Sequence, residues 1–158
     1  MPRVLFLCTG NTCRSPLAEV FAQQLPLSGG PVFESAGLQV SGRLPASAGS
    51  LRVAHDHGLS LENFRSRPVT LDLLEDTSWV IGMTRSHAAI FQSRLCGYYD
   101  GKVGVLGAPG VDLSTMKSSL PCEEVDDPYG NSDQTYIAAG EQIRRLVRQW
   151  ATEFSGPQ

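Results

Sequence analysis

A parallel sheet covered by helices on both faces, an α/β fold, is what three observations predict for this 158-residue chain. Short continuous apolar runs alternate along it with stretches of helical periodicity. The runs lack polar alternation, as strands buried on both faces require. A Gly-containing loop joins the first run directly to the first helix. Strand and helix units repeated in this way build a parallel sheet, and such sheets bind ligands outside the carboxyl ends of their strands.

The elements follow in order. Val4–Cys8 is the first apolar run, and it ends at the loop. Pro16 suits the first turn of a helix, where its missing N–H costs nothing. Leu17, Val20, Phe21 and Leu25 then recur at helical spacing until Pro26 and the Gly29-Gly30-Pro31 breaker. Val32–Ser35 reads as a second strand, and Ala46–His57 as a helix of weaker apolar face stopped by Gly58. Ser78–Met83, a helix over Ser86–Leu95 and a strand at Lys102–Leu106 supply two further units. The stretch from Gly107 to Val125, with Pro109, Gly110 and Pro121, has no period and predicts a long surface loop, a kind that is often functional. From Asp133 onward, Tyr136, Ile137, Ile143, Leu146, Val147 and Trp150 form one stripe, so a C-terminal helix packs on the sheet. Residues 1–154 are expected to form one domain, with 155–158 a frayed tail.

With 41% hydrophobic and 18% charged residues the chain is too apolar for disorder, and its length suits one core. A net charge of −3 with scattered basic residues argues against a nucleic-acid partner. No stretch approaches membrane-spanning length, and Val4–Leu7 is too short for a signal core. Cys8, Cys13, Cys96 and Cys122 are sparse and form no C-x-x-C pair, so reduced thiols in a cytoplasmic protein are expected. His55, His57 and His87 lack ligand spacing and are expected at exposed helix positions without a role. Oligomeric state is not encoded in any of these patterns.

The loop Cys8-Thr9-Gly10-Asn11-Thr12-Cys13-Arg14-Ser15 carries the chemistry. A strand-to-helix loop offers backbone N–H groups to the oxygens of a phosphoryl dianion, and Gly10 and Asn11 fit the tight, partly left-handed turn of such a nest. Arg14 would close the ring with a bidentate guanidinium contact that lysine could not reproduce. Cys8 faces a helix N-terminus and that guanidinium, which favour thiolate over thiol. Ser15 would donate its hydroxyl to the Cys8 sulfur and stabilise it as a leaving group in a two-step nucleophilic reaction. A buried strand cysteine followed by a surface arginine is the plainer alternative. The preceding strand, the Gly-Asn pair and the Ser-Pro helix start each suit an anion site and weigh against it.

A poor leaving group needs a proton, and Asp127-Pro128-Tyr129-Gly130 is the segment suited to supply it. Proline extends and stiffens the residue before it, which would hold the Asp127 carboxyl over the cradle while Tyr129 walls the pocket. An isolated Asp-Pro is otherwise a turn or a solvated carboxylate.

Val4–Pro16, Ser35-Ala36-Gly37 and Asp127-Pro128-Tyr129 together resemble the low-molecular-weight protein-tyrosine-phosphatase family, and the likeness covers nearly the whole chain. The resemblance implies a four-stranded parallel sheet in a flavodoxin-like three-layer sandwich. It also implies Cys8 as nucleophile, Arg14 as phosphate binder, Asp127 as general acid and then base, Asn11, Ser15 and Ser35 as supports of the loop, and neither a metal nor an organic cofactor. The acid stands directly before proline in that family, which selects Asp127 over Asp126. Cys13 matches a second loop cysteine, where a reversible disulfide with Cys8 and a packing role are equal alternatives. Phe64 departs from the pattern, because many members place there a histidine that hydrogen-bonds the loop.

Thr12 and the Tyr129-Gly130 pair are closest to the bacterial protein-arginine phosphatases of the family, whereas tyrosine-specific members carry a branched aliphatic and two aromatics. A planar guanidinium leaving group wants a carboxylate and polar walls, while a phenol wants aromatic faces. A phosphorylated protein is thus the expected partner, with phosphoarginine favoured and phosphotyrosine the alternative. Thioredoxin-linked arsenate reduction would need two further relaying thiols, and Cys96 and Cys122 are widely spaced for that. A phosphoprotein-binding module is the non-enzymatic reading, against which an intact Cys8, Arg14 and Asp127 argue.

Overall fold

The computed structural model of the chain describes residues 2–115 and 121–155. Four strands, β1 (Arg3–Cys8), β2 (Val32–Gly37), β3 (Thr77–Gly82) and β4 (Lys102–Val105), form one parallel sheet in the order β2-β1-β3-β4. Between and after them run the helices α1 (Arg14–Gln23), α2 (Ala48–Asp56), α3 (Leu71–Leu74), α4 (Arg85–Leu95) and α5 (Asp133–Phe154). The chain leaves β1 toward one edge to make β2 and later crosses back to make β3. The strand order therefore reverses at β1, and the crevice beyond its carboxyl end is where Cys8 lies.

The apolar runs lack alternation because both faces of the sheet are covered. Val4 and Phe6 point into one core with Leu17, Phe21, Trp79, Ile81 and the α5 residues Ile143, Leu146, Val147, Trp150 and Phe154. Leu5 and Leu7 point into a second core with Ala36, Val80, Phe91, Val103 and Val105. Burial of each large side chain contributes roughly 1.5–3 kcal/mol, and Trp150 is further fixed by its indole N–H on Leu106 O at 2.8 Å.

Several boundaries differ from the sequence reading for local reasons. β2 runs two residues further, because Ala36 and Gly37 are small enough to pair with Leu7 and Cys8 under the loop. A Cβ at Gly37 would stand 2.7 Å from Thr9 O and 3.0 Å from Asn11 Cβ. α2 starts at Ala48 because the Ser47 hydroxyl caps it on Ser50 N. α3, too short to show a period, is capped by Thr70. On α5 Ile137 is exposed, a correction to the predicted stripe; Ala139, Gly140 and Phe154 take buried places instead. The expected loop from Gly107 to Val125 ends in the core: Val125 is fully buried and donates its N–H to Met83 O. Part of that loop, 116–120, and the tail residues 156–158 lie outside the described residues. No helix among the described residues is long and apolar enough to cross a membrane.

Candidate active site

The loop between β1 and α1 is shaped by one residue in the left-handed region, Asn11, at φ 56°. Gly10, expected to share that conformation, does not adopt a positive φ. The loop's carbonyls are tied outward: Cys8 O accepts from Leu38 N, Thr9 O from Gln39 N, Thr12 O from Ser47 N and Cys13 O from the Ser50 hydroxyl. Inward, the Asn11 N–H reaches Cys8 Sγ at 3.3 Å.

The Asn11 side chain is fully buried beneath the loop and acts as its keystone. Its amide donates to Ser15 Oγ at 2.8 Å and to Ser35 Oγ at 3.0 Å, and its Oδ1 accepts from Arg67 N at 3.0 Å. Because Ser15 Oγ accepts from Asn11, its own proton is available to Cys8 Sγ, 2.9 Å away. Two donors therefore converge on one sulfur, an arrangement that can stabilise negative charge there. The Ser35 hydroxyl in turn donates to Glu19 Oε1 at 2.9 Å. Burial raises the Glu19 pKa, against the lowering pull of that hydrogen bond and of Arg67. Arg67 also bonds Ser35 O and pairs with Glu34.

Phe64 supplies no hydrogen bond to the loop; it is partly buried against the first core. The loop is instead met from this segment by Arg67 N on Asn11, while buried Ser66 ties the segment to the 42–44 stretch, its hydroxyl accepting from Leu44 N and donating to Gly42 O.

Cys8, Thr9, Gly10, Thr12, Cys13, Arg14, Asp127 and Tyr129 line one cavity of about 230 Å³ over the strand ends. Arg14 is buried and is held by Val125 O at 3.1 Å. Its Nε is a buried donor with no hydrogen-bond partner among the described residues. A buried guanidinium with unspent donors on a cavity wall fits an oxyanion. Asp127, half exposed, lies 3.7 Å from the Arg14 guanidinium and accepts from Tyr129 N at 3.1 Å. Asp126 is exposed and Pro128 buried, so the proline anchors the turn that presents Asp127. Tyr129 is 71% exposed, leaving its ring at the cavity mouth.

All four cysteines are free thiols. Cys13 Sγ lies 3.5 Å from the Tyr136 hydroxyl, and burial followed by that contact pushes the Tyr136 pKa up to about 12. Cys96 ends α4, whereas Cys122 sits against Arg85 at its start, the Arg85 Nε–H donating to Sγ at 2.9 Å. Cys96 is exposed and Cys122 partly buried. Among the described residues no group of three His, Cys, Asp or Glu side chains could hold a metal ion.

The model of the family described as low molecular weight phosphotyrosine protein phosphatase matches residues 3–156. The chain belongs to that family. It is therefore a hydrolase of a protein-phosphatase family. Curated relatives in this family name two substrate classes. The protein-arginine-phosphatase of Bacillus subtilis is 30% identical over 155 residues, covering 96% of this chain and 95% of the relative. The low molecular weight protein-tyrosine-phosphatase Etp of Escherichia coli is 30% identical over 155 residues, covering 96% and 94%. Among solved structures, the arginine phosphatase YwlE, in a cysteine-to-serine variant with a phosphorylated active-site serine, superposes with a TM-score of 0.81 at 28% identity, covering 99% of this chain and 97% of that one.

Sequence reasoning missed three groups around this phosphatase loop. His87 is buried, not exposed, and its Nε2 lies 3.1 Å from Thr9 Oγ1. The Thr84-x-x-His87 spacing of an N-cap was the available signal. Glu19 stands one helical turn after Ser15 on α1, a spacing that places both on one face. Arg67 reaches the loop through a backbone N–H, which no sequence pattern reveals. His55 is exposed; His57 is half-buried and pairs with Glu141 at 3.3 Å.

Proposed function

We propose that the chain is a protein-arginine phosphatase that works through a phosphocysteine on Cys8. The observation that carries the substrate preference is the cavity wall: Thr12 contributes a small polar side chain, and Tyr129 is the one aromatic residue among the lining residues. A guanidinium leaving group finds there the Asp127 carboxyl and polar walls. Tyr129 at the mouth is also the feature that favours phosphotyrosine, since its ring could cover one face of a phenol.

In the proposed reaction the loop N–H groups, Thr9 to Cys13, and the Arg14 guanidinium hold the phosphoryl oxygens. The Cys8 thiolate attacks phosphorus while the P–N bond breaks, and the protonated Asp127 carboxyl gives its proton to the departing nitrogen. Asp127, now a carboxylate, takes a proton from the water that attacks the phosphocysteine. The S–P bond breaks with Ser15 donating to the returning thiolate, and inorganic phosphate leaves. Asn11 and Ser35 keep the loop in shape throughout. The phosphorylated serine in the YwlE variant supports a covalent phospho-enzyme at the corresponding place.

The test is a side-by-side comparison of phosphoarginine and phosphotyrosine peptides on the wild type and on Thr12→Ile, with Cys8→Ser as the inactive reference. The wild type is expected to prefer phosphoarginine and Thr12→Ile to move toward phosphotyrosine. A wild-type preference for phosphotyrosine would overturn the substrate assignment, and turnover by Cys8→Ser would overturn the nucleophile.

A further inference from the structure

His87 occupies the first turn of α4 with both ring nitrogens in hydrogen bonds. It can approach β3 because Gly82 has no side chain; a Cβ there would stand 2.9 Å from His87 Cβ. The backbone N–H of Thr84 donates to Nδ1 at 3.2 Å, so Nδ1 carries no proton. A neutral imidazole has one N–H, which then resides on Nε2. Nε2 is 3.1 Å from Thr9 Oγ1, so the imidazole donates and the hydroxyl accepts. Burial, and next the Arg14 guanidinium, lower the His87 pKa to about 4 against an opposing pull from Asp127, so the ring is neutral at neutral pH. With one lone pair engaged by His87, the Thr9 hydroxyl keeps its proton for the cavity it lines beside Cys8 and Arg14.

We propose that His87 is a positioning residue of the active site, orienting the Thr9 hydroxyl as a hydrogen-bond donor to the phosphoryl group of bound substrate. The inference rests on the reading of the Cys8 loop as the phosphoryl cradle, and holds for either substrate class. The contact is made to the transferred group in both the bound and the transition state, so it acts on KM more than on kcat. A purely structural His87 would only complete the capping box of α4, in which Thr84 Oγ1 accepts from His87 N and His87 Nδ1 accepts from Thr84 N.

The experiment compares wild type, Thr9→Ala, His87→Asn, the double variant and Thr84→Ala. Asparagine places an acceptor near the position of Nδ1, keeping the bond from Thr84 N, and nothing at the position of Nε2. Readouts are kcat and KM for an aryl phosphate, calorimetric binding of inorganic phosphate, and Tm. Thr9→Ala and His87→Asn should each raise KM and weaken phosphate binding about fivefold, the net worth of one hydrogen bond, with kcat within about twofold. The double variant should be no worse than either single one. Thr84→Ala should lower Tm by a few degrees and leave KM unchanged. Wild-type KM in His87→Asn, or losses that multiply in the double variant, would overturn the proposal. A wild type that binds phosphate without turning over the aryl phosphate would overturn the role of Cys8, and the binding ratios would still decide that of His87.

Discussion

The loop from Cys8 to Ser15 and the turn from Asp126 to Gly130 face the same cavity and are built by opposite means. The first rests on a buried, over-determined frame, with Thr9 exposed toward the cavity mouth. Asn11, Arg14, Ser15 and Ser35 are all at most 6% exposed, and one asparagine side chain joins three segments of the chain. The second is pinned at its base, where Val125 bonds Met83 and where Gln142 and Arg145 hold Glu123, and at buried Pro128, whose carbonyl accepts from Asn131 N. Beyond Val125, Asp126, Asp127, Tyr129 and Gly130 are exposed, with Asp127 held by one side-chain to backbone bond and a 3.7 Å ion pair. The difference follows from what each must meet. A phosphoryl group has fixed geometry and rewards donors that cost no reorganisation. The leaving group is a side chain of another protein, and the residue that protonates it must stand where that side chain can arrive.

Breaking the keystone should give the largest effect. Asn11→Ala leaves Ser15, Ser35 and the Arg67 N–H short of a partner in a buried place and forces alanine into a left-handed φ. The expected cost is roughly 3 kcal/mol of stability and about 100-fold in kcat/KM for an aryl phosphate, read by urea denaturation and steady-state kinetics. An Asn11→Ala protein as stable as wild type would show that the loop is not over-determined.

On the exposed side the same kind of truncation should separate activity from stability. Asp127→Ala is expected to change stability by less than about 0.5 kcal/mol, because its ion pair is solvent-screened. Its rate loss should be about 100-fold to 1,000-fold with high-pKa leaving groups and only a few fold with activated aryl phosphates. Equal losses on both substrates would remove Asp127 as the acid.

The two sides also differ in how much of them could be read from sequence. Cys8, Arg14 and Asp127 carry their own signals, because a strand, a Gly-Asn turn and a proline fix their surroundings within a few residues. The sheet and α5 were legible for the same reason, since burial on two faces or one stripe leaves a periodic trace. His87, Glu19 and Arg67 act across sequence separation, Arg67 through its main chain, and their contacts exist only once α1, β2, α4 and the segment before α3 are packed around the end of β1. The burial of Val125 leaves no trace in sequence because one apolar residue of an aperiodic segment packs into the first core, tied there by Met83 and Arg14.

Next in size are pH effects from the buried side groups, and His87 sets the acid limb. Its folded pKa of about 4 lies below the ordinary 6.5. Its contribution is therefore fully present above 6.5 and lost as pH falls through the window down to about 4, on the order of 3 kcal/mol. Denaturation midpoints measured across that window should fall in the wild type and fall less in His87→Asn.

Glu19 should give the smallest effect, with the opposite sign. Burial raises its folded pKa, so its favourable contribution is complete below the unfolded carboxyl value and declines as pH rises through the folded one. Burial thus opposes its ionisation, while Ser35 and Arg67 favour it. Glu19→Gln keeps an oxygen to accept from Ser35 and removes the charge. It should match or slightly exceed the wild-type Tm at neutral pH, within about 1 kcal/mol, and flatten the decline that sets in as pH rises above the ordinary value of 4.5. Because the Ser35–Asn11–Ser15 bonds survive, kcat/KM should stay within about threefold. A Glu19→Gln protein that is markedly less stable at pH 7 would show that the carboxylate is a required counter-charge to Arg67 rather than the outer end of a hydrogen-bonded support for the nucleophile loop.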